Sequence, residues 1–80
     1  MTEEQIHRAE QAERLRTDPA FQRAVVEIRR QAVEALVKAD PVDADAIRAQ
    51  QARINAIDAL CGEIANEILR GTPQRQPAVA

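Results

Sequence analysis

Residues 24–37 read AVVEIRRQAVEALV, and their apolar side chains fall on two sides of a helix. A helix at a protein surface needs only one apolar side, which faces the core. One side belongs to a longer seam with the 4-3-4 spacing of coiled coils. Its members are Phe21, Val25, Ile28, Ala32, Ala35 and Ala39, with Leu36 beside them. The stretch therefore predicts a helix with more than one neighbour.

The second apolar side is a strip of three valines, Val26, Val33 and Val37, called the valine strip below. At about 100° per residue it lies roughly 120° from the seam. The segment that follows repeats this two-sided design. Its seam contains Ile47, Ile54, Ile57, Cys61, Ile64 and Ile68, and an alanine strip of Ala52, Ala56 and Ala59 lies roughly opposite. We expect the two seams to face each other, which leaves both strips without a neighbour.

Capping and breaking residues place the ends of three helices, over residues 3–16, 19–39 and 44–70. Thr2 and Asp18 are residue types that cap helix N-termini, and Pro19 fits a first helical position. A short break after Asp40 joins two long helices, which favours an antiparallel hairpin. Gly71 is expected to cap the last helix. We predict an all-α fold: a long antiparallel hairpin with a short N-terminal helix, forming one domain over residues 1–71, followed by a mobile tail over residues 72–80.

The composition argues against several functional classes. The 80 residues carry a net charge of −2, one cysteine, one histidine, and no tryptophan or tyrosine. This balance gives no general reason to bind nucleic acid, and one Cys with one His does not make a structural zinc site. No apolar run approaches the roughly 20 residues of a membrane span. The start lacks the pattern of a secretory signal, so we expect a cytoplasmic protein without metal or cofactor.

Residues able to do chemistry are few, and each has a structural explanation. Cys61 lies on the isoleucine seam, which predicts a packing role, and His7 is expected to be solvated near a helix start. Asp40, Asp43 and Asp45 lack the glycine and closing glutamate of a calcium loop, so helix capping is the preferred interpretation. We therefore predict a protein that is not an enzyme.

A partner for the spare strips is the main functional prediction. Either the first helix folds back over the valine strip or a second copy of the chain covers it. The first helix has few large apolar residues, so we expect a homo-oligomeric helical bundle, with the valine strip as the first contact surface and the alanine strip as the second. A basic region allows either nucleic-acid contact or ion pairing along the helices. It consists of Arg14, Arg16, Arg23, Arg29 and Arg30.

The segments RLRTDPAFQRAVVEIRRQAVEAL and ADPVDADAIRAQQARINAIDAL together resemble a group of small helical-hairpin proteins. Such proteins are encoded among the head-assembly and DNA-packaging genes of tailed phages and prophages. The shared features are a D-P-x-F helix opening, a short Asp-rich break and a second helix with regularly spaced charges. The resemblance covers residues 8–70, although members of that group commonly carry tryptophan or further aromatic residues in their helices. It implies an accessory role in virion assembly or packaging, in the host cytoplasm or in the virion.

Two alternatives stay open at this point. The chain could be a small inhibitor or regulator that binds a host protein, or a nucleic-acid accessory that uses the residues from Arg14 to Arg30. The three roles require different partners. The assembly role requires a phage structural protein, the inhibitor or regulator requires a host protein, and the accessory role requires nucleic acid.

Overall fold

The computed structural model describes residues 1–72, in which the regular structure consists of three helices. They are α1 (Glu3–Arg16), α2 (Pro19–Lys38) and α3 (Ala44–Arg70). The all-helical class is therefore confirmed for this part of the chain. α2 ends one residue earlier than expected, because the backbone at Ala39 is already extended. Apart from Thr72, the predicted mobile tail lies outside the described residues.

Each helix begins at a side chain that satisfies its free amides. Thr2 forms a capping box with Gln5: its hydroxyl accepts the Gln5 amide at 3.1 Å, and its own amide donates to the Gln5 side chain at 2.9 Å. Asp18 and Asp43 each accept the amide N–H of the residue three positions further on, at 2.9 and 3.1 Å. Each of the three helices therefore begins at a capping side chain that the sequence itself supplies.

α1 and α2 both pack against α3, which at 27 residues is about 40 Å long. The short connection from Ala39 to Asp43 reverses the direction of the chain, so α2 and α3 run antiparallel. An ion pair ties the two, with Arg29 Nε 3.1 Å from Asp58 Oδ1. α1 packs at the other end of α3, near Gly71, and makes few contacts with α2.

Gly71 is the point of closest approach between α1 and α3. A Cβ atom placed there would overlap the Cβ of Ala9 and the carbonyl oxygen of Gln5. Its φ angle of −101° lies outside the left-handed region that usually selects glycine at a helix end. Gly71 is the C-cap residue of α3, as expected, but the space taken by α1 is what requires a glycine here.

The buried core of the described residues is very small. Its apolar members are Ala9 and Ala12 of α1 and Ala32 of α2, and none of the larger side chains in residues 1–72 is fully buried. The predicted seams are half-buried at most positions, and Ile28 is 44% exposed. α1, which has few large apolar residues, contributes two of these three buried residues. The small size of this core leaves the larger apolar side chains in partial contact with water.

Candidate interaction surface

The valine strip is open to solvent along its whole length. Val26 is 66% exposed, Val33 36% and Val37 79%. α1 packs on α3 near Gly71, so of the two alternatives for covering these valines, the one in which α1 folds back over them does not occur. No element within residues 1–72 covers the strip, and it remains the most prominent apolar feature of α2.

Charged side chains border the valine strip on both edges. On one edge Arg30 donates to Glu27 at 2.7 and 3.0 Å and to Glu34 at 2.7 Å. Lys38 extends this chain with a 2.6 Å contact to Glu34. On the other edge Arg29 is held by the ion pair with α3. The result is a narrow apolar strip between two charged borders, the pattern of a helix face that meets a single partner helix.

The ion pairs along this edge change the acidity of its carboxyl groups. Hydrogen bonds from Arg30, and then from Gln31, lower the pKa of Glu27 from its ordinary value of 4.5 to about 2. The pKa of Glu34 is also lowered, first by the hydrogen bond from Lys38 and then by that from Arg30. Both carboxylates, and with them the charged border, therefore stay ionised well below neutral pH.

The alanine strip of α3 is exposed as well. Ala52, Ala56 and Ala59 all face solvent, and the neighbouring Leu60 is 49% exposed. The α3 residues that line grooves against α1 begin at Glu63, beyond the strip toward the C-terminus. Each helix of the hairpin thus presents one uncovered row of small or β-branched side chains.

The five arginines of the predicted basic region do not form one free patch. Arg16 pairs with Glu13, Arg29 with Asp58, and Arg30 with Glu27 and Glu34. Within residues 1–72 Arg14 and Arg23 form no ion pair. The pairing of Arg29 across the hairpin was missed by sequence reasoning, because nothing in the spacing of α2 shows which α3 residue lies opposite.

The single cysteine is not a packing residue. Cys61 shares the seven-residue spacing of Ile54 and Ile68, but it is exposed, so the predicted packing role is wrong. The seven-residue spacing therefore does not by itself decide which positions of α3 are covered. His7 is exposed on α1, in agreement with the prediction.

The aspartates between α2 and α3 act on the backbone. Asp40 accepts the amide of Val42 at 3.0 Å, and Asp43 caps α3. These bonds agree with the capping interpretation of the Asp-rich break. Within residues 1–72 no group of three His, Cys, Asp or Glu side chains is placed to hold a metal ion.

An open apolar groove lies between α1 and the C-terminal end of α3. Its apolar lining includes Ile6, Ala9 and Ile68, and its charged lining consists of Glu10, Glu13 and Arg14. It reaches Thr72, where the described part of the chain ends. Gly71, where α1 approaches α3 most closely, also lines this groove.

Comparisons with protein-family models, curated proteins and solved structures find no match to this chain. In residues 1–72 none of the helices combines the length and the hydropathy that crossing a membrane requires. The valine and alanine strips are the exposed apolar rows that the two hairpin helices present within residues 1–72.

Proposed function

We propose that this chain is a non-enzymatic interaction protein that works by packing the valine and alanine strips against partner helices. The observation that carries the proposal is the mismatch between core and surface. The buried apolar core of residues 1–72 is three alanines, whereas ten larger apolar side chains are at least 36% exposed. A small domain with so little core usually needs further stabilisation, and binding to a partner is one way to obtain it.

The energies involved favour association. Full burial of one valine or leucine side chain contributes about 1.5–3 kcal/mol, and small single cores supply about 3–5 kcal/mol in total. The exposed fractions of Val26, Val33 and Val37 add up to about two valine side chains, so covering them would contribute about 3–5 kcal/mol before the cost of association is subtracted. The bordering ion pairs restrict the approach to one helix at a time, which gives the contact a defined direction.

We propose virion head assembly or DNA packaging as the setting, in the host cytoplasm or in the virion itself. This part of the proposal rests on the resemblance of residues 8–70 to small phage hairpin proteins. An accessory that acts by helix–helix contact requires exposed helix faces rather than a catalytic pocket. His7 and Cys61, the side chains suited to base and nucleophile, lie on different helices and form no hydrogen bond within the described residues.

A binding assay against the proteins of neighbouring genes tests the proposal. The wild-type chain is co-expressed with the capsid, portal and large terminase proteins encoded beside it, and co-purification is measured. We expect stable binding to one of them, with at least about a tenfold loss when a charge enters either strip, by Val33→Glu or Ala56→Glu. Val42→Glu is the matched control, because Val42 is 87% exposed and lies in the break between α2 and α3.

Two results would count against the assembly role. Wild-type chain that binds none of these proteins contradicts it, and binding to a host protein instead favours an inhibitor or regulator. A salt-dependent mobility shift of DNA that is lost in Arg14→Ala and Arg23→Ala favours the nucleic-acid alternative. Arg14 and Arg23 are the relevant positions because the other three arginines of the region already pair with carboxylates.

A further inference from the structure

We infer that the valine strip is covered by the same strip of a second copy of this chain, with the two α2 helices antiparallel. The inference deepens the proposed function, on which it rests, by naming one partner. Val26, Arg30, Val33 and Val37 follow one another at intervals of four, three and four residues. This is the alternation that lets the side chains of one helix fit between those of another.

The charge distribution along α2 and the break that follows it selects the antiparallel arrangement. Residues 19–30 of α2 carry three basic side chains and one acidic, residues 31–38 carry one of each, and residues 39–45 carry three acidic ones. Antiparallel pairing brings the basic first half of α2 in one copy toward the acidic break after α2 in the other. Parallel pairing would bring like against like, which is unfavourable across a close interface.

One register satisfies the apolar and charged positions together. When Val26 of one copy lies opposite Val37 of the other, the symmetry of the pair repeats that contact at the other end. Arg23 then faces the acidic end of the partner near Asp40, and it has no ion-pair partner in residues 1–72 of its own chain. An interface of this kind is isologous, so it closes at two copies and does not extend into a filament.

The centre of the proposed interface is occupied by Val33 and by the stem of Arg30. The guanidinium of Arg30 is already turned to its own Glu27 and Glu34, at 2.7–3.0 Å. Its methylene groups are therefore free to pack against Val33 of the second copy. The same hydrogen bonds offset the negative charges of Glu27 and Glu34. These carboxylates lie along the outer edge of the interface, where those of the two copies come near each other.

Sedimentation analysis gives the first test. A single pair of 20-residue helices is at the small end of specific interfaces, so the wild-type chain is measured from about 10 to 500 µM. We expect a monomer–dimer equilibrium and a dissociation constant at least about thirtyfold higher for Val33→Glu, as for charging a central contact residue. Val42→Glu is the control and is expected to match wild type, with helix content checked by circular dichroism. A wild-type chain that stays monomeric at 500 µM overturns the inference.

Disulfide trapping tests the register without introducing a charge. Val26→Cys and Val37→Cys are made separately in a Cys61→Ser background, mixed, and oxidised with glutathione disulfide. Antiparallel pairing puts the two different positions within disulfide range, so the mixed dimer should exceed either self-linked dimer several-fold. Val42→Cys, outside the strip, should link to neither. Predominant self-linking of Val26→Cys would show parallel pairing and would overturn the inference.

The two proposals fail in different experiments. A monomeric chain that still binds a capsid, portal or terminase protein overturns the self-pairing and leaves the assembly role standing. A dimer with the expected cross-links that binds none of these proteins supports the self-pairing and contradicts the assembly role.

Discussion

α1 and α2 pack on the same helix by different means. α1 meets α3 through small residues, and Ala9 and Ala12 are buried beside Gly71. α2 has the larger apolar side chains, yet only Ala32 is buried and the contact is supplemented by the exposed Arg29–Asp58 ion pair. Side-chain size thus sets how closely two helices approach, and the helix with the lower apolar content makes the tighter contact.

The largest effect is expected from breaking the tighter contact with Gly71→Ala. The added methyl group has no space between the Cβ of Ala9 and the carbonyl oxygen of Gln5, and backbone atoms cannot move aside as a flexible side chain can. We expect a loss of about 2–3 kcal/mol in the free energy of unfolding. Urea denaturation followed by circular dichroism measures the loss, and hydrogen exchange shows whether α1 amides lose protection first.

Gly62→Ala is the matched control for that variant. Gly62 lies inside α3, and a Cβ there would meet nothing within 4 Å. Alanine is the better helix former, so this variant should gain about 1 kcal/mol. Opposite signs for the same substitution in one helix would establish that Gly71 is selected by the approach of α1. Equal effects would contradict the close contact.

The sequence predicted what depends on local chemistry. Thr2 and Asp18 were expected to mark the starts of the first two helices, because a capping side chain bonds to an amide only three positions away. For the third helix the sequence left several aspartates of the break as candidates, and the structure shows that Asp43 is the cap. The exposed valine strip was predicted as well, since its angle from the seam follows from helix geometry alone. Both results need no knowledge of how the helices meet in space.

Contacts between distant residues could not be predicted in the same way. The overlap at Gly71 arises from Ala9 and Gln5, more than 60 positions away, and no periodicity in either helix contains that information. The exposure of Cys61 is a second example, because its seven-residue spacing with Ile54 and Ile68 does not show which positions another helix covers.

A medium effect is expected at the looser contact, from Ala32→Leu. Ala32 is fully buried between α2 and α3, so the larger side chain must push neighbours apart. The larger side chains of the two seams are only half-buried at most positions, so they are expected to shift more easily than backbone atoms. We therefore expect a loss of about 1–2 kcal/mol, less than for Gly71→Ala. Ala20→Leu, on an exposed position of the same helix, should stay within about 0.5 kcal/mol of wild type in urea denaturation. A larger loss for Ala32→Leu than for Gly71→Ala would reverse the comparison.

The smallest effect is expected from acid, which should act on α2 and spare the centre of the α1 contact. The pKa of Glu27 is lowered to about 2 by its hydrogen bonds from Arg30 and Gln31, and the pKa of Glu34 is lowered as well. A carboxyl group with a lowered folded-state pKa stabilises the fold fully above its ordinary pKa of 4.5. That contribution is lost as the pH falls from about 4.5 toward 2, whereas Ala9, Ala12 and Gly71 do not titrate.

Hydrogen exchange across this interval should therefore show α2 amides losing protection before the α1 amides near Ala9 and Ala12. Because the carboxylates of α2 are exposed, the difference should be modest and should shrink in about 1 M salt, where the screening length falls to about 3 Å. Glu27→Gln removes one titrating group without changing its shape, so it should flatten the pH dependence of α2 while leaving that of α1 unchanged. Parallel loss of protection in α1 and α2, insensitive to salt and to Glu27→Gln, would mean that the two contacts on α3 unfold as one unit despite their different packing.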